Sequence, residues 1–567
     1  MPKRAPRNKA RSGRITIGEL VEFYIGEPNW RRPDTEFLSW PPDTFAVALS
    51  LLKESGAYIR ITTQDFLAPN DGIQDRDRKL SLEWKEKIEA GDDSAPEGVA
   101  ELWSGIYFVR NRSLSSLMSP TATRPVPDAD KAWFLLVRLC SIADETWRLL
   151  PTRSEPKSKQ ELSTYLFAEK LRSFSEDGVI GNLCTHRISS LLTVLPKMRT
   201  PQNGLSIRCV SRYLALLPNT EVGVRWQDFN LDNSVGDNVN LLVLPWPTEI
   251  YPVQFQDALR DGATRIPDYR YFKFNVESNP EEAWHRLHQL LMRATQHYGK
   301  IHGIVLLEMA IDQETYACIH TRLSESGPNF PDFLIAGIYV PPQGNDFEGM
   351  RPGKNFAKIV KYPRLKEDGP ELSQLIYERT QEKHHRWMLN ASQIQTYGLG
   401  AQLNPKFAWW EYTEVSKREL HVSQIAPGLA MTVLICEDLA RPDPVGDAVR
   451  AIGPNLLIAL LQDGPQLATR WGSRYATVLA DDPGCSVLTI TGLGLCELSR
   501  PPNRKPSRVV ALWQQPEGEA REIELPAGYE ALVLNLTVKS RNQWTIDGRS
   551  HSSGQVSLSG VHPIREL

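Results

Sequence analysis

No run of about eighteen apolar residues occurs anywhere in the 567-residue chain, which excludes a helix built to span a bilayer. Cysteine is scarce and scattered: seven residues form no Cys-x-x-Cys pair and no zinc-ligand spacing. An odd number in so long a chain argues against a disulfide framework and for a reducing, cytoplasmic setting. Cys184-Thr-His186, a close Cys/His pair, reads as incidental. An excess of charge is lacking too. The 65 basic and 68 acidic residues give a formal net charge of −3, which argues against a chain-wide nucleic-acid surface. Only the start, MPKRAPRNKARSGR, suits phosphate contact. It lacks the apolar stretch of a secretory signal, so residues 1–14 are expected to be a disordered basic arm.

With 41% hydrophobic residues the chain can bury a sizeable core, and its length suggests more than one domain. Residues 15–204 read as a mainly helical domain of unknown role. Asp43 precedes an apolar-periodic run at 44–55 and is expected to cap it. Residues 57–63 read as a short strand and residues 83–99 as an exposed polar segment. Residues 128–150 have helical periodicity, and two further helices are expected within 158–200.

Strand-rich sequence begins near residue 205. Buried strands are expected at 239–245, 304–307 and 333–340, and an amphipathic helix at 279–298 opens on Pro280-Glu-Glu. Residues 270–276, this helix and 304–307 form an expected β-α-β unit.

Chemistry concentrates at 429–447, LAMTVLICEDLARPDPVGD. Apolar and β-branched residues 431–435 have the composition of a buried strand, which stops at Cys436-Glu437-Asp438 ahead of a Pro-broken loop. A cysteine there sits where its sulfur can face a pocket and the next backbone N–H can face an oxyanion. Taken alone, such a cysteine is most often a packed core residue, so its company upstream matters.

That company is His302-Gly-Ile-Val-Leu-Leu-Glu308, a strand ending in a glutamate, and Gln381-Glu-Lys383-His-His385. With the ICED segment they resemble the glutamate, lysine and cysteine motifs of the carbon-nitrogen hydrolase (nitrilase) superfamily, in that chain order. The nucleophile segment is most similar to NAD synthetase glutaminase domains. Residues 383–482 also resemble nitrilase-like domains fused to defence-associated bacterial reverse transcriptases.

The resemblance implies an α/β fold, a nitrilase-like four-layer αββα sandwich, over residues 205–550 with its core at 270–540. Residues 551–567 would then be a C-terminal tail. Asn355-Phe-Ala-Lys-Ile-Val resembles a further family strand, and Trp409-Trp-Glu411 an element whose glutamate orients the lysine. The sequence departs from the pattern at Leu307, where a proline is usual, and at Thr432, where a glycine is. Glu249 is a rival for Glu308, Lys358 and Lys361 lie one strand too early, and Arg386-Trp-Met-Leu also fits the lysine motif. Glu437 and His385 are supporting candidates.

The chemistry implied is hydrolysis of an amide, nitrile or carbamoyl compound. Cys436 would be the nucleophile, Glu308 the base and Lys383 the oxyanion partner, with a thioester intermediate and no metal or organic cofactor. A homodimer or higher oligomer, paired through residues 442–450, and a place in bacterial antiviral defence are also implied. No ATP-pyrophosphatase stretch is recognisable, so a self-contained NAD synthetase is not expected. The alternative is an inactive nitrilase-like scaffold or ligand sensor.

Overall fold

The computed structural model describes residues 15–62, 73–118, 132–149, 175–176, 179–185, 188, 190–217, 222–228, 238–259, 268–276, 278–327, 329–343, 351–362, 376–426, 428–500 and 505–565. Two large sheets organise them. In the seven-stranded sheet the spatial order is Tyr377–Glu382, Lys354–Lys361, Phe333–Val340, Gly303–Ile311, Asn238–Leu244, Ala531–Trp544 and Ser550–Ile564. Gly303–Ile311 runs parallel to both its neighbours. All nine of its residues are buried, as expected of a near-continuous apolar run covered on both faces.

The nine-stranded sheet centres on Glu419–Ala426, Leu429–Ile435, Leu456–Leu461 and Ser486–Thr491, the last three mutually parallel. Inner faces of the two sheets share one core, with Leu306 and Ile335 from one and Val433 and Leu488 from the other. Helices Pro280–Tyr298 and Gln313–Ser324 pack on the seven-stranded sheet, and Trp471–Asp481 packs on the nine-stranded one. The result is the expected αββα layering. The helix over 280–298 starts where the sequence says it should. Pro280 occupies its first turn and the Asn279 side chain accepts from the Glu281 and Glu282 N–H groups.

Several expectations fail. Tyr269–Phe274 does not join the large sheets but lies in a four-stranded sheet with Phe255–Asp257, Ala408–Glu411 and Met388–Leu389. The parallel partner of Gly303–Ile311 across the 280–298 helix is Asn238–Leu244 instead, so the sandwich begins well before residue 270. It begins before 205 as well, because Val179–Ile180 pairs with Gly223–Asp228 on the edge of the nine-stranded sheet. The tail expected over 551–567 is, through residue 564, a strand: Ser550–Ile564 runs for 15 residues paired along all of Ala531–Trp544. Its Ser, Gly and His content hides it from an apolar-run reading, since a partner strand rather than burial supplies its backbone hydrogen bonds.

The N-terminal region is helical, with Ile17–Ile25, Pro41–Ser55, Ile73–Glu89, Glu97–Phe108 and Ala132–Leu149 around their own core. Trp40, not Asp43, is the cap residue of Pro41–Ser55. Asp43 is buried and accepts from the Thr185 N–H and hydroxyl at 2.9 and 2.6 Å. The strand expected over 57–63 is a 3₁₀ turn at Ala57–Arg60. The polar stretch 83–99 spans the end of one helix and the start of the next, with Trp84 fully buried. The two helices expected in 158–200 fall largely outside the described residues, and Val194–Pro196 is a strand. Arg549 ties this region to the last hairpin, donating to Asp144 and Glu145 at 3.2 Å each and to the Val210 carbonyl at 2.8 Å.

Candidate active site

Three sheets converge on one buried cluster. Glu308 comes from the middle of the seven-stranded sheet, Lys383 from just past its edge strand, Glu411 from the four-stranded sheet and Cys436 from the end of Leu429–Ile435. Relative exposures are 0% for Glu308, 2% for Lys383, 0% for Glu411 and 3% for Cys436. Lys383 Nζ donates to Glu308 Oε1 and to Glu411 Oε2, each at 2.8 Å. Asn355 Nδ2 bridges the same two carboxylates, 2.8 Å from Glu308 Oε1 and 2.8 Å from Glu411 Oε1. The Gln462 N–H donates to Glu308 Oε2 at 2.7 Å, and the Trp387 N–H to Glu411 Oε2 at 3.0 Å. Charges this deeply buried persist only when paired and hydrogen-bonded, and here each oxygen of the two carboxylates has a donor.

Two carboxylates share one ammonium, and the electrostatics follow. Burial, reinforced by the Glu411 charge, raises the Glu308 pKa against the lowering pull of Lys383. Burial works against the Lys383 charge, but the two glutamates outweigh it and hold the ammonium well above its ordinary pKa. Burial pushes the Cys436 thiol well up, and the Glu308 charge adds to this while Lys383 opposes it. The thiol is therefore protonated at neutral pH, with a carboxylate and an ammonium in electrostatic reach.

Cys436 has φ 48°, a left-handed conformation uncommon for a residue with a Cβ. It is where the chain leaves its strand for the 3₁₀ turn Cys436–Ala440. Such sites of local strain cluster at functional positions. The turn decides between the neighbouring acids. Glu437 points outward and pairs with Arg441 at 3.2 Å. Asp438 turns inward, accepting the His384 N–H at 3.1 Å and facing His385 Nδ1 at 2.9 Å. Asp438 thus anchors the stretch after Lys383 to the turn after Cys436.

The other sequence candidates separate cleanly. Arg386 is solvent-exposed and its Nε donates to the Thr413 carbonyl at 2.9 Å, so it does not take the lysine's place. His385 faces the Asp438 carboxylate. Glu249 is exposed and accepts from the Tyr251 hydroxyl at 2.6 Å. Lys358 pairs with Glu378. Leu307 is buried in the core, and the Thr432 hydroxyl donates to the His421 carbonyl at 2.8 Å.

Asn355 and Gln462 had no role in the sequence reading. Asn355 opens the Asn-Phe-Ala-Lys-Ile-Val strand. Gln462 follows the buried strand Leu456–Leu461, and a polar residue at that end, beside the strand that leads to Cys436, is the sequence signal for it. Its side chain is buried with neither amide atom hydrogen-bonded. No group of three or more His, Cys, Asp or Glu among the described residues could hold a metal ion, and no described helix is long and apolar enough to cross a membrane.

No family model matches the chain, and no curated protein does either. Among solved structures the chain is similar to Nit3 of Saccharomyces cerevisiae, described as a member of branch 10 of the nitrilase superfamily. The identity is 13%, over 53% of this chain and 89% of that one, with a TM-score of 0.31. It is also similar to an amidase of Nesterenkonia AN1 from the nitrilase superfamily, at 11% identity over 52% of this chain and 90% of that one, with a TM-score of 0.31. A carbon-nitrogen hydrolase from Helicobacter pylori G27 gives 14% identity over 53% and 89%, with a TM-score of 0.28. Similarity at this level assigns no residue a role.

Proposed function

We propose that the chain is a cysteine hydrolase of non-peptide carbon-nitrogen bonds in amide, nitrile or carbamoyl compounds. The observation that carries this reading is the convergence of Glu308, Lys383 and Glu411 by direct hydrogen bonds, with Cys436 in their electrostatic reach on a left-handed turn. For an amide, the Cys436 sulfur attacks the carbonyl carbon while Glu308 takes the thiol proton. Lys383 and the backbone N–H after Cys436 stabilise the resulting oxyanion. Collapse breaks the C–N bond, and Glu308 returns the proton to the departing amine or ammonia. Water, deprotonated by Glu308, then converts the thioester to a carboxylic acid and restores the thiol. Glu411 and Asn355 hold Lys383 and Glu308 in place, and the unpaired Gln462 amide is available to the substrate's polar end.

The scheme consumes only water. Likeness to NAD synthetase glutaminase domains rests on the nucleophile motif and a setting in bacterial defence on the resemblance of residues 383–482, and the scattered free cysteines suit a reducing cytoplasm. We extend the proposal to a homodimer or higher oligomer formed through residues 442–450. Tyr475 and Val478, 39% and 45% exposed on the adjacent helix, would be covered there. A monomer by light scattering at micromolar concentration would count against the dimer.

The test of catalysis is ammonia release across a panel of amides, nitriles and carbamoyl compounds, with intact-mass detection of an acyl adduct. Wild type should release ammonia and show the adduct, and Cys436→Ala should do neither. If Cys436→Ala keeps the full biological activity of the protein, the chain is a scaffold.

A further inference from the structure

The four-stranded sheet has two faces of different character. Along its paired strands Tyr271 is opposite Trp410, and Phe272 is opposite Glu411. Successive side chains in a strand point to opposite faces. Phe272 and Glu411 therefore face inward, and both are fully buried. Tyr269, Tyr271 and Trp410 stand together on the other face, each half-buried. There they line an open cleft of about 580 Å³ with His384, Arg386 and Arg418.

The lining is chemically one-sided. Three aromatic rings and two guanidinium groups line the cleft, and no acidic side chain does so among the described residues. Tyr269 and Tyr271 meet edge to face with ring centroids 5.7 Å apart, and Tyr271 packs on Tyr412 at 5.2 Å. The bond from Arg386 Nε to the Thr413 carbonyl pins its guanidinium within electrostatic reach of Tyr271. His384 is 2% exposed, its imidazole set against the Glu419 backbone at the floor of the cleft. Burial holds this imidazole below its ordinary pKa, so as a neutral ring it can donate from one nitrogen and accept at the other.

We propose that this cleft binds a small anionic aromatic molecule, its ring against Tyr271 and Trp410 and its carboxylate or phosphate against Arg386 and Arg418. Planar guanidinium groups pair with either oxyanion, and the rings supply stacking area. The site lies on the opposite face of the small sheet from Glu411, so it is distinct from the hydrolytic centre and does not depend on the hydrolase reading. The two are joined through the chain, since His384 follows Lys383 and Trp410 precedes Glu411, and through Asp438, which holds the His384 N–H and His385 beside the turn begun by Cys436.

Saturation-transfer NMR and titration calorimetry on the full chain test this. The probes are 4-hydroxybenzoate and adenosine 5′-monophosphate, with benzyl alcohol keeping only a ring and acetate only a charge. At least one anionic aromatic probe should bind at millimolar concentration or tighter, and neither control should. The probe that binds separates an aryl carboxylate from a nucleotide. Trp410→Ala and the Arg386→Ala/Arg418→Ala pair should each weaken binding about tenfold or more while still melting cooperatively above the assay temperature, and Cys436→Ser should leave binding unchanged. Failure of both anionic probes overturns the proposal. So does equal binding of benzyl alcohol, or binding that survives the Trp410 and arginine variants or is lost in Cys436→Ser.

Discussion

Gly337 lies so close against Glu308 that a Cβ on it would stand 2.6 Å from the Glu308 Cα and 2.0 Å from the Leu307 carbonyl oxygen. The two parallel strands are in register up to Ala336 and Leu306 and resume at Ile338 and Ile311. The extra residues bulge where Glu308 sits, and Met309 takes φ 52°. The bulge re-aims the carboxylate, and only a glycine leaves room for it. Gly337→Ala should therefore destabilise the chain by about 3 kcal/mol, the upper range for overpacking, and displace Glu308. Denaturant melts would measure this, and a variant as stable as wild type would mean that the bulge yields easily.

Lys383 and Arg386 should separate sharply. In the proposed mechanism Lys383→Ala removes the oxyanion partner, for a rate loss of about 10²–10³. It also strands two buried carboxylates, for about 3–5 kcal/mol of stability. Arg386→Ala should leave turnover and melting temperature near wild type. Paired kinetics and melts check both, and an inactive Arg386→Ala beside an active Lys383→Ala would reverse the assignment.

The acid limb of the rate profile should move with Glu411. Burial and then the Glu411 charge raise the Glu308 pKa, and the base must be ionised to act. Glu411→Gln keeps the shape and removes one negative charge, so the Glu308 pKa falls and the acid limb of kcat/KM shifts to lower pH. An unmoved limb would show that a group other than Glu308 is the base.

His302 should make stability fall in mild acid. Its Nδ1 accepts the Asn240 N–H at 3.0 Å, and burial, with Lys300 adding to it, lowers its pKa to about 4. The unfolded chain, with a histidine pKa near 6.5, binds more protons between those values, so stability rises with pH there. The loss begins as pH drops below about 6.5 and is complete below about 4, at about 3 kcal/mol. His302→Gln retains an acceptor without the titration, and the difference in unfolding free energy between the two proteins should shrink across that window. A constant difference would refute the linkage.

What the sequence by itself determined is local. Apolar runs at 304–307, 333–340 and 431–435 specify buried strands because they are short, almost wholly apolar and rich in β-branched or aromatic residues. Cys436 ends one such run, and Glu308, Lys383 and Cys436 stand in the order of the motifs they resemble. Tertiary structure alone decided the rest. A contiguous pattern of period two is silent about which sheet a strand joins, so Tyr269–Phe274 left the sandwich while Val179–Ile180 and Ser550–Ile564 entered it. Between Glu437 and Asp438, or Lys383 and Arg386, composition offers equal charges, and the direction of each side chain is set by a turn and by partners far away in the chain. Asn355, Glu411 and Gln462 meet Glu308 and Lys383 only because three sheets converge, and that convergence rests on packing across the whole core, which no short stretch of sequence contains.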